Sequence, residues 1–341
     1  MIDIKQFVRP NILSLKPYST ARDEYHGEPL EVYLDANESP WDSGFNRYPD
    51  PAQKLLKLRL SEIKGLPMDH IFVGNGSDEA IDHCFRVFCE PGIDNVVSIA
   101  PTYGMYKVAA AINNVEFREC ALGGDNFAFS VEKLLAMSDA HTKLIFVCSP
   151  NNPTGGSLGR GEIIKLLKAF HGIVVVDEAY IDFSSEKSLS SELVNYPNLI
   201  VLQTLSKAWG MASLRLGLAL ACPEIIRIFG QVKYPYNINS LAQQTVLSRL
   251  SIDISKQIEI VVHERDMLYD YLSKSPKIIK VYPSDSNFLL VRVPRPRELY
   301  NQLIAGGIIV RDRSGVVGCE GCLRITVGTP EQNVRLMEIM R

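Results

Sequence analysis

Short runs of apolar residues alternate with longer amphipathic segments along the chain as far as about Tyr236. Each run has the length of a strand that is buried on both faces, where polar and apolar positions need not alternate. The runs are 71–73 (IFV), 95–100 (NVVSIA), 144–148 (LIFVC), 173–177 (IVVVD), 199–203 (LIVLQ) and 217–221 (GLALA). This pattern predicts a largely parallel sheet that is covered by helices.

The segments between these runs have the pattern of helices that pack on a sheet. Segment 78–88 begins with acidic residues, which a helix N-terminus favours. Segment 160–170 places Ile163, Leu166 and Leu167 on one stripe. Each of these helices is predicted to link two consecutive strands.

The pattern changes after Tyr236. A long helical stretch through Asp270 precedes four apolar runs (VYP, FLLVRV, GIIVRD and LRITVG), a helix between the second and third runs, and a last helix. This order predicts a smaller, separate α+β unit. We therefore predict an N-terminal arm over residues 1–35 that packs with the smaller unit, a large domain over 36–240 and a small C-terminal domain over 241–341.

Composition and charge favour small-molecule chemistry. The chain has 341 residues, 46% of them hydrophobic and 22% charged, with a formal net charge of -3. Such a chain can form about two packed domains, and its scattered Lys and Arg residues give no basic surface for nucleic acid or anionic membranes. With no signal-peptide pattern and no apolar stretch of membrane-spanning length, we expect a cytoplasmic protein.

The cysteines do not predict a metal site. Their number, seven, is odd, and the CxxC formed by Cys319 and Cys322 has no second CxxC or HxxxH to complete a zinc site. We expect free thiols and no bound metal.

Polar side chains follow the predicted strands at the points where the strands end. Asn152 comes after 144–148, Asp177 and Tyr180 end or follow 173–177, and Lys207 follows 199–203. Each residue taken alone has a simpler explanation, such as a turn, a helix cap or a solvated lysine. Ligands of open α/β sheets, however, bind beyond the carboxyl ends of the strands, so one crevice is predicted to collect all four groups.

This set of groups fits the chemistry of pyridoxal phosphate (PLP). The amine of Lys207 would form a Schiff base with the cofactor aldehyde, and Asp177 would keep the pyridine nitrogen protonated. Tyr180 and Asn152 would hydrogen-bond the ring oxygen, and Tyr103 in PTYGMY would stack on the ring.

A glycine-rich turn is predicted to bind the cofactor phosphate. Gly76, Ser77 and Asp78 lie where a strand gives way to a helix, and backbone amides at a helix N-terminus favour an anion. Ser206 and Arg215 are predicted to complete this site, because a guanidinium fork suits a phosphate.

Three motifs in order, SPNNPTGG, VVVDEAY and TLSKAWGMASLRLG, resemble those of the PLP-dependent aminotransferases of the aspartate aminotransferase fold. The resemblance covers nearly the whole chain and implies the same roles for the residues named above. It also implies a three-layer αβα large domain with a mostly parallel seven-stranded sheet, and a smaller α+β C-terminal domain. It further implies a homodimer with shared active sites, in which Tyr48 of NRYPD reaches the cofactor phosphate of the partner subunit. Otherwise Tyr48 is an aromatic residue of a turn.

Within that family the chain is most similar to members that act on L-histidinol phosphate in histidine biosynthesis, with L-glutamate and 2-oxoglutarate as the second pair. The resemblance implies that Arg324 binds the glutamate carboxylate and that Arg311, helped by Tyr18, binds the substrate phosphate. Arg313 matches no role in the family. It would share a strand face with Arg311, so the two could compete for one anion or act together.

Other functions on the same scaffold remain open at this stage. A decarboxylase of the threonine-phosphate type and an aromatic amino-acid aminotransferase would need the same lysine. A PLP-binding regulator without catalysis is a more distant alternative, which would need a DNA-binding segment that the sequence does not contain.

Overall fold

The structure is a computed structural model that describes residues 3–25, 27 and 31–341. The helices are α1 (Pro10–Leu13), α2 (Ala21–Glu24), α3 (Lys54–Lys64), α4 (Gly76–Phe88), α5 (Met105–Ile112), α6 (Val131–Ala136), α7 (Arg160–Ala169), α8 (Pro223–Val232), α9 (Ser240–Arg249), α10 (Ser255–Ser273), α11 (Pro296–Ala305) and α12 (Pro330–Met340). The strands are β1 (Ile71–Asn75), β2 (Asn95–Ala100), β3 (Glu116–Ala121), β4 (Thr142–Cys148), β5 (Ile173–Asp177), β6 (Leu199–Thr204), β7 (Leu216–Ala221), β8 (Lys280–Val281), β9 (Phe288–Arg292), β10 (Arg311–Asp312) and β11 (Cys322–Thr326).

A seven-stranded sheet forms the centre of the larger part of the molecule. Its order is β1-β7-β6-β5-β4-β2-β3, and every neighbouring pair is parallel except the two that involve β7. All six apolar runs are strands of this sheet, so the predicted mostly parallel sheet is confirmed. The seventh strand, β3, has no apolar run because it lies at the edge and buries only Cys120.

Helices cover both faces of this sheet. Alternate residues of β5 show the two faces: Val174 and Val176 pack in one core, whereas Ile173 and Val175 pack in the other. The first core also contains side chains of α3, α6, α7 and α9, and the second contains side chains of α4, α5 and α8. The result is the three-layer αβα arrangement that the resemblance implied.

A second, antiparallel sheet lies in the C-terminal part, in the order β10-β11-β9-β8. Side chains of α10, α11 and α12 pack on it in a separate core. The long helical stretch that the sequence suggested is divided into α9 and α10, and the carboxylate of Asp253 accepts the backbone N–H of Ser255 (2.9 Å) at the start of α10. Ala242 and Val246 of α9 belong to the first core of the large sheet.

The beginning of the N-terminal arm packs on the large sheet's second core. Ile4 and Val8 are buried there, and Arg9 forms an ion pair with Glu90 (3.1 Å). Residues 1, 2, 26 and 28–30 of the predicted arm lie outside the described residues. The arm and the two domain boundaries stay predictions.

Among the residues that the structure describes, no helix combines the length and apolar character needed to cross a membrane.

Candidate active site

A cavity of about 370 Å³ lies where β4, β5 and β6 end. It is lined by Gly76, Ser77, Asp78, Tyr103, Cys148, Asn152, Asp177, Ala179, Tyr180, Thr204, Ser206, Lys207, Arg215, Arg311, Arg313 and Arg324. The lining therefore brings together twelve of the fourteen residues predicted for the site, from both sheets and from the start of α4. The two that it leaves out are Tyr18 and Tyr48.

Lys207 reaches the cavity from the loop after β6. The loop is held by a backbone hydrogen bond from the Gly210 N–H to the Lys207 carbonyl (3.1 Å). The Lys207 Nζ lies 5.6 Å from the centre of the Tyr180 ring. Desolvation by the cavity walls and the charge of Arg324 lower the pKa of Lys207, which increases the fraction of neutral amine. A neutral amine is the nucleophilic form that attacks a carbonyl carbon.

Asp177 is a buried carboxylate at the end of β5, with 3% of its surface exposed. It accepts hydrogen bonds from the Tyr106 hydroxyl (2.7 Å) and from the backbone N–H of Ala179 (3.0 Å). Burial raises the pKa of Asp177 in spite of these two donors. Among the described residues no Lys, Arg or His forms an ion pair with it, so a cationic ligand would compensate its charge.

The first turn of α4 lies directly beside Arg215 in the cavity wall. Gly76 has φ +72°, and a Cβ there would lie 2.6 Å from Arg215 Nη2. A Cβ on Gly217 of β7 would lie 2.1 Å from the backbone nitrogen of Ser77, so only glycine permits this approach. Arg215 Nη2 also pairs with Asp78 Oδ2 (3.3 Å). The Gly76 N–H donates to the Arg215 carbonyl (2.8 Å), whereas the next amides of this first turn have no partner within the helix and, beside the guanidinium, form a site for an anion such as phosphate.

The phenols of Tyr103 and Tyr180 are protonated hydrogen-bond donors. Burial raises the pKa of both, and for Tyr103 the nearby Asp78 carboxylate adds to the effect. Tyr103 donates to Asp78 Oδ1 (3.1 Å). Asn152 donates from Nδ2 to the Tyr180 hydroxyl oxygen (3.4 Å), and its Oδ1 accepts from Arg324. A hydrogen-bonded chain thus connects Arg324 to the residues around Lys207.

Three arginines form the wall that belongs to the smaller sheet. Arg311 of β10 and Arg324 of β11 are direct partners in the antiparallel pair, and the Arg313 N–H donates to the Cys322 carbonyl (2.9 Å). Within the described part of the chain none of the three forms an ion pair with a carboxylate. This wall therefore carries positive charge that an anionic ligand would neutralise.

Tyr48 and Tyr18 lie away from the cavity of this chain. Tyr48 is 50% exposed and stacks on Tyr236 with 4.4 Å between ring centroids, and Tyr18 is 75% exposed. The segment before Tyr48 is held by Glu38, whose carboxylate accepts from Arg22, from Arg47 and from the Tyr48 N–H, each at 2.7 Å.

The sequence interpretation missed four residues at this site. Cys148, Ala179 and Thr204 line the cavity, and Tyr106 lies beneath it as the donor to Asp177. Tyr106 follows Tyr103 by one helical turn, which was the available signal, but its apolar neighbours gave it the pattern of a core residue.

Comparison with known proteins gives consistent results. A model of the family described as "Aminotransferase class I and II" matches residues 20–340. A protein from Parabacteroides distasonis named histidinol-phosphate aminotransferase is 55% identical over 343 residues, covering 100% of this chain and 99% of the relative. One of the same name from Bacteroides fragilis is 52% identical with the same coverage.

The solved structures show the same fold. The histidinol-phosphate aminotransferase of Sinorhizobium meliloti, in complex with pyridoxal-5'-phosphate, has a TM-score of 0.80 at 23% identity, covering 97% of each chain. The enzyme of the same name from Clostridium acetobutylicum also has a TM-score of 0.80 at 23% identity, covering 87% of this chain and 90% of the other. At this identity the similarity is one of fold.

Proposed function

Because the chain belongs to the class I and II aminotransferase family, we propose that it is a PLP-dependent enzyme that transfers an amino group between L-histidinol phosphate and 2-oxoglutarate, in histidine biosynthesis. The names of relatives at 52–55% identity over the full length support this activity. The observation that carries it is one cavity that holds Lys207, Asp177 and three arginines, of which neither Asp177 nor the arginines form an ion pair with any described residue. L-Glutamate and imidazole-acetol phosphate are the other substrate pair.

The residues of the cavity fit PLP. When bound, this cofactor supplies an aldehyde that combines with amines and a protonated ring that accepts the electron pair released at the substrate α-carbon. Lys207 would hold it covalently, and Asp177 would hold the proton on its ring nitrogen. The amides of Ser77 and Asp78, with Ser206 and Arg215, would bind its phosphate, and Gly76 would permit its close approach to the backbone.

The chain's own groups then perform the proton transfers. Lys207 Nζ, as a free amine of lowered pKa, would take the proton from the substrate α-carbon. It would then pass this proton to the cofactor carbon that receives the amino group. The protonated hydroxyl of Tyr180, bonded to Asn152, donates a hydrogen bond toward the cofactor oxygen. The ring of Tyr103 supplies a flat apolar surface for the cofactor ring.

The arginine wall binds the substrates. Arg324 has a planar fork that suits the α-carboxylate of L-glutamate, and Arg311 binds the phosphate of the other substrate. Tyr18 would assist Arg311 from the N-terminal arm. One site thereby accepts two unlike anions in alternation.

We further propose that the enzyme is a homodimer with shared active sites. The segment before α3 exposes large apolar side chains, among them Leu34 (89%) and Trp41 (81%), as expected for a surface that a second copy covers. Tyr48 lies on this segment, so it would contact the cofactor phosphate of the partner subunit. Sedimentation of the holoenzyme tests this proposal, and a monomer at micromolar concentration would refute it.

The activity is tested by the visible absorption spectrum of the purified protein with PLP. We expect a band of the lysine-bound cofactor that is lost on addition of L-histidinol phosphate, and equally on addition of L-glutamate. Formation of 2-oxoglutarate from L-glutamate separates amino transfer from decarboxylation. Loss of the band with another amino acid but not with L-histidinol phosphate would refute the substrate, and absence of any band would refute the cofactor.

A further inference from the structure

Arg313 is the arginine of the cavity wall to which neither the sequence motifs nor the resemblance gives a role. We propose that Arg313 is a specificity-determining residue that binds, together with Arg311, the phosphate dianion of the phosphorylated substrate. The identity of that substrate rests on the proposed function, but the binding of phosphate by Arg313 does not.

The backbone fixes Arg313 at the edge of the cavity. Its N–H donates to the Cys322 carbonyl (2.9 Å), and its own carbonyl accepts from the Val316 N–H (2.9 Å). These bonds extend the β10–β11 pairing by one residue and then turn the chain. Since residues two apart on an extended chain face the same side, Arg311 and Arg313 present their side chains to the same space, roughly 7 Å apart at the backbone.

The side chain of Arg313 has no negatively charged partner among the described residues. Its Nε is buried and has no hydrogen-bond partner, and no carboxylate of the described residues forms an ion pair with its guanidinium. Burial lowers the pKa of Arg313, and the charges of Arg324 and Arg311 lower it further. A partly desolvated cation among like charges is unfavourable unless a ligand supplies negative charge.

The excess of positive charge in the cavity indicates that its ligand carries two negative charges. The lining contains five cationic and two anionic side chains, and one cation, Arg215, already pairs with Asp78. Arg324 is bonded to Asn152 and lies 5.2 Å from the Phe288 ring centre, and its charge contributes to lowering the pKa of Lys207. A single carboxylate is satisfied by one guanidinium fork. A phosphate has three oxygens and a second negative charge, so it can accept from Arg311 and Arg313 at once.

The experiment compares the holoenzyme with its Arg313→Gln and Arg313→Lys variants, and with Arg227→Gln as a control. Arg227 is an exposed residue of α8 outside the cavity lining, so its replacement removes the same charge away from the site. The visible band of bound cofactor and the melting temperature establish that each variant is folded.

The first measurement is inhibition by inorganic phosphate of the half-reaction with L-glutamate, in which the amino group passes to the bound cofactor and the visible band of lysine-bound cofactor is lost. We expect Arg313→Gln to raise the inhibition constant about 10- to 100-fold, as for a lost charged hydrogen bond, with an intermediate effect for Arg313→Lys and none for the control. This result does not depend on which phosphorylated substrate the enzyme uses. No inhibition of the wild type, or equal inhibition of the wild type and Arg313→Gln, overturns the proposal.

The second measurement is kcat/KM for L-histidinol phosphate divided by that for L-glutamate, as a function of pH. In the wild type this ratio should fall with decreasing pH as the phosphate dianion takes up one proton and becomes the monoanion, at about pH 6. In Arg313→Gln the ratio should be lower and should change less with pH. A purely structural role would change both substrates alike and leave the slope unaltered, which overturns the proposal. If the wild type turns over L-histidinol phosphate but Arg313→Gln is normal, the role of Arg313 fails and the proposed function stands. If Arg313→Gln weakens the inhibition by phosphate but L-histidinol phosphate is not a substrate of the wild type, the role of Arg313 stands and the proposed function fails.

Discussion

The buried hydroxyl of Tyr106 tests how this protein keeps a carboxylate in its interior. Tyr106→Phe removes only the oxygen that donates to Asp177 Oδ2 at 2.7 Å. The ring itself is fully buried and stacks on Phe146 with 4.8 Å between centroids, and phenylalanine preserves that packing. The variant therefore removes the hydrogen bond to Asp177, together with the hydroxyl's contact with the Cys148 thiol, and leaves the packing in place.

The expected loss follows from the charge of the acceptor. A hydrogen bond to an ionised group contributes about 1.5–3 kcal/mol, and one between neutral groups about 0.5–1.5 kcal/mol. Burial raises the folded-state pKa of Asp177, so keeping this carboxylate ionised in the folded protein lowers the free energy of unfolding at pH values above that pKa. This cost disappears when the carboxyl group is protonated at lower pH. Tyr106→Phe should therefore destabilise the cofactor-free protein by about 1.5–3 kcal/mol at neutral pH, and by less at acidic pH.

Urea unfolding of the cofactor-free protein at several pH values measures this difference. The matched control is Tyr103→Phe, which removes a hydroxyl that donates to the partly exposed Asp78 at 3.1 Å and should cost less than about 1 kcal/mol. Equal, pH-independent losses in the two variants would refute the reasoning, because the bond to Asp177 would then have no special weight.

Three further changes test other parts of the site. Lys207→Ala should abolish both the visible band of lysine-bound cofactor and turnover, and a normal spectrum with normal activity would overturn its assignment. Glu38→Gln should lower the free energy of unfolding at neutral pH: burial opposes ionisation, but hydrogen bonds from two guanidinium groups and a backbone N–H hold the pKa of Glu38 at about 2. Since that pKa is depressed, the stabilisation is present above the ordinary carboxyl value and is lost as pH falls toward about 2, so wild type and variant should converge in acid, and parallel pH profiles would contradict this. Gly217→Ala should weaken PLP binding at least tenfold because its Cβ would meet the backbone nitrogen of Ser77, whereas Gly161→Ala, which has open space, should bind PLP normally; equal affinities would refute the close approach.

The parts of the fold that could be predicted are those in which burial leaves a simple pattern. β5 is covered on both faces, so its sequence IVVVD is apolar throughout and its bounds are as predicted. β3 lies at the sheet edge with mostly exposed side chains, and its sequence EFRECA resembles a loop. Of GIIVRD, predicted as a strand, only Arg311–Asp312 form β10; its first half follows α11 as a turn, in which the Ile308 N–H donates to the Leu303 carbonyl (2.8 Å).

The site was predictable where chemistry follows directly on a strand. Lys207, Asp177 and Asn152 are found this way because the end of a parallel strand fixes where the next residues lie. Tyr106 could not be found, since a phenol on the buried face of a helix looks like core until its acceptor is located in space. The roles of Tyr48 and Tyr18 stay predictions, because neither residue reaches the cavity of its own chain.

The order of strands in the large sheet also has a consequence for synthesis of the chain. β1, the first strand to be made, lies at the sheet edge and pairs only with β7, the last of the seven. On the ribosome, therefore, β1 and the start of α4 must wait unpaired until residue 221 has emerged. The proposed site of the cofactor phosphate combines the start of α4 with Arg215, the residue before β7, so we expect a nascent chain that stops before β7 to be unable to retain PLP. Contacts this distant in sequence form slowly, so we expect the protein to bind its cofactor late in its maturation.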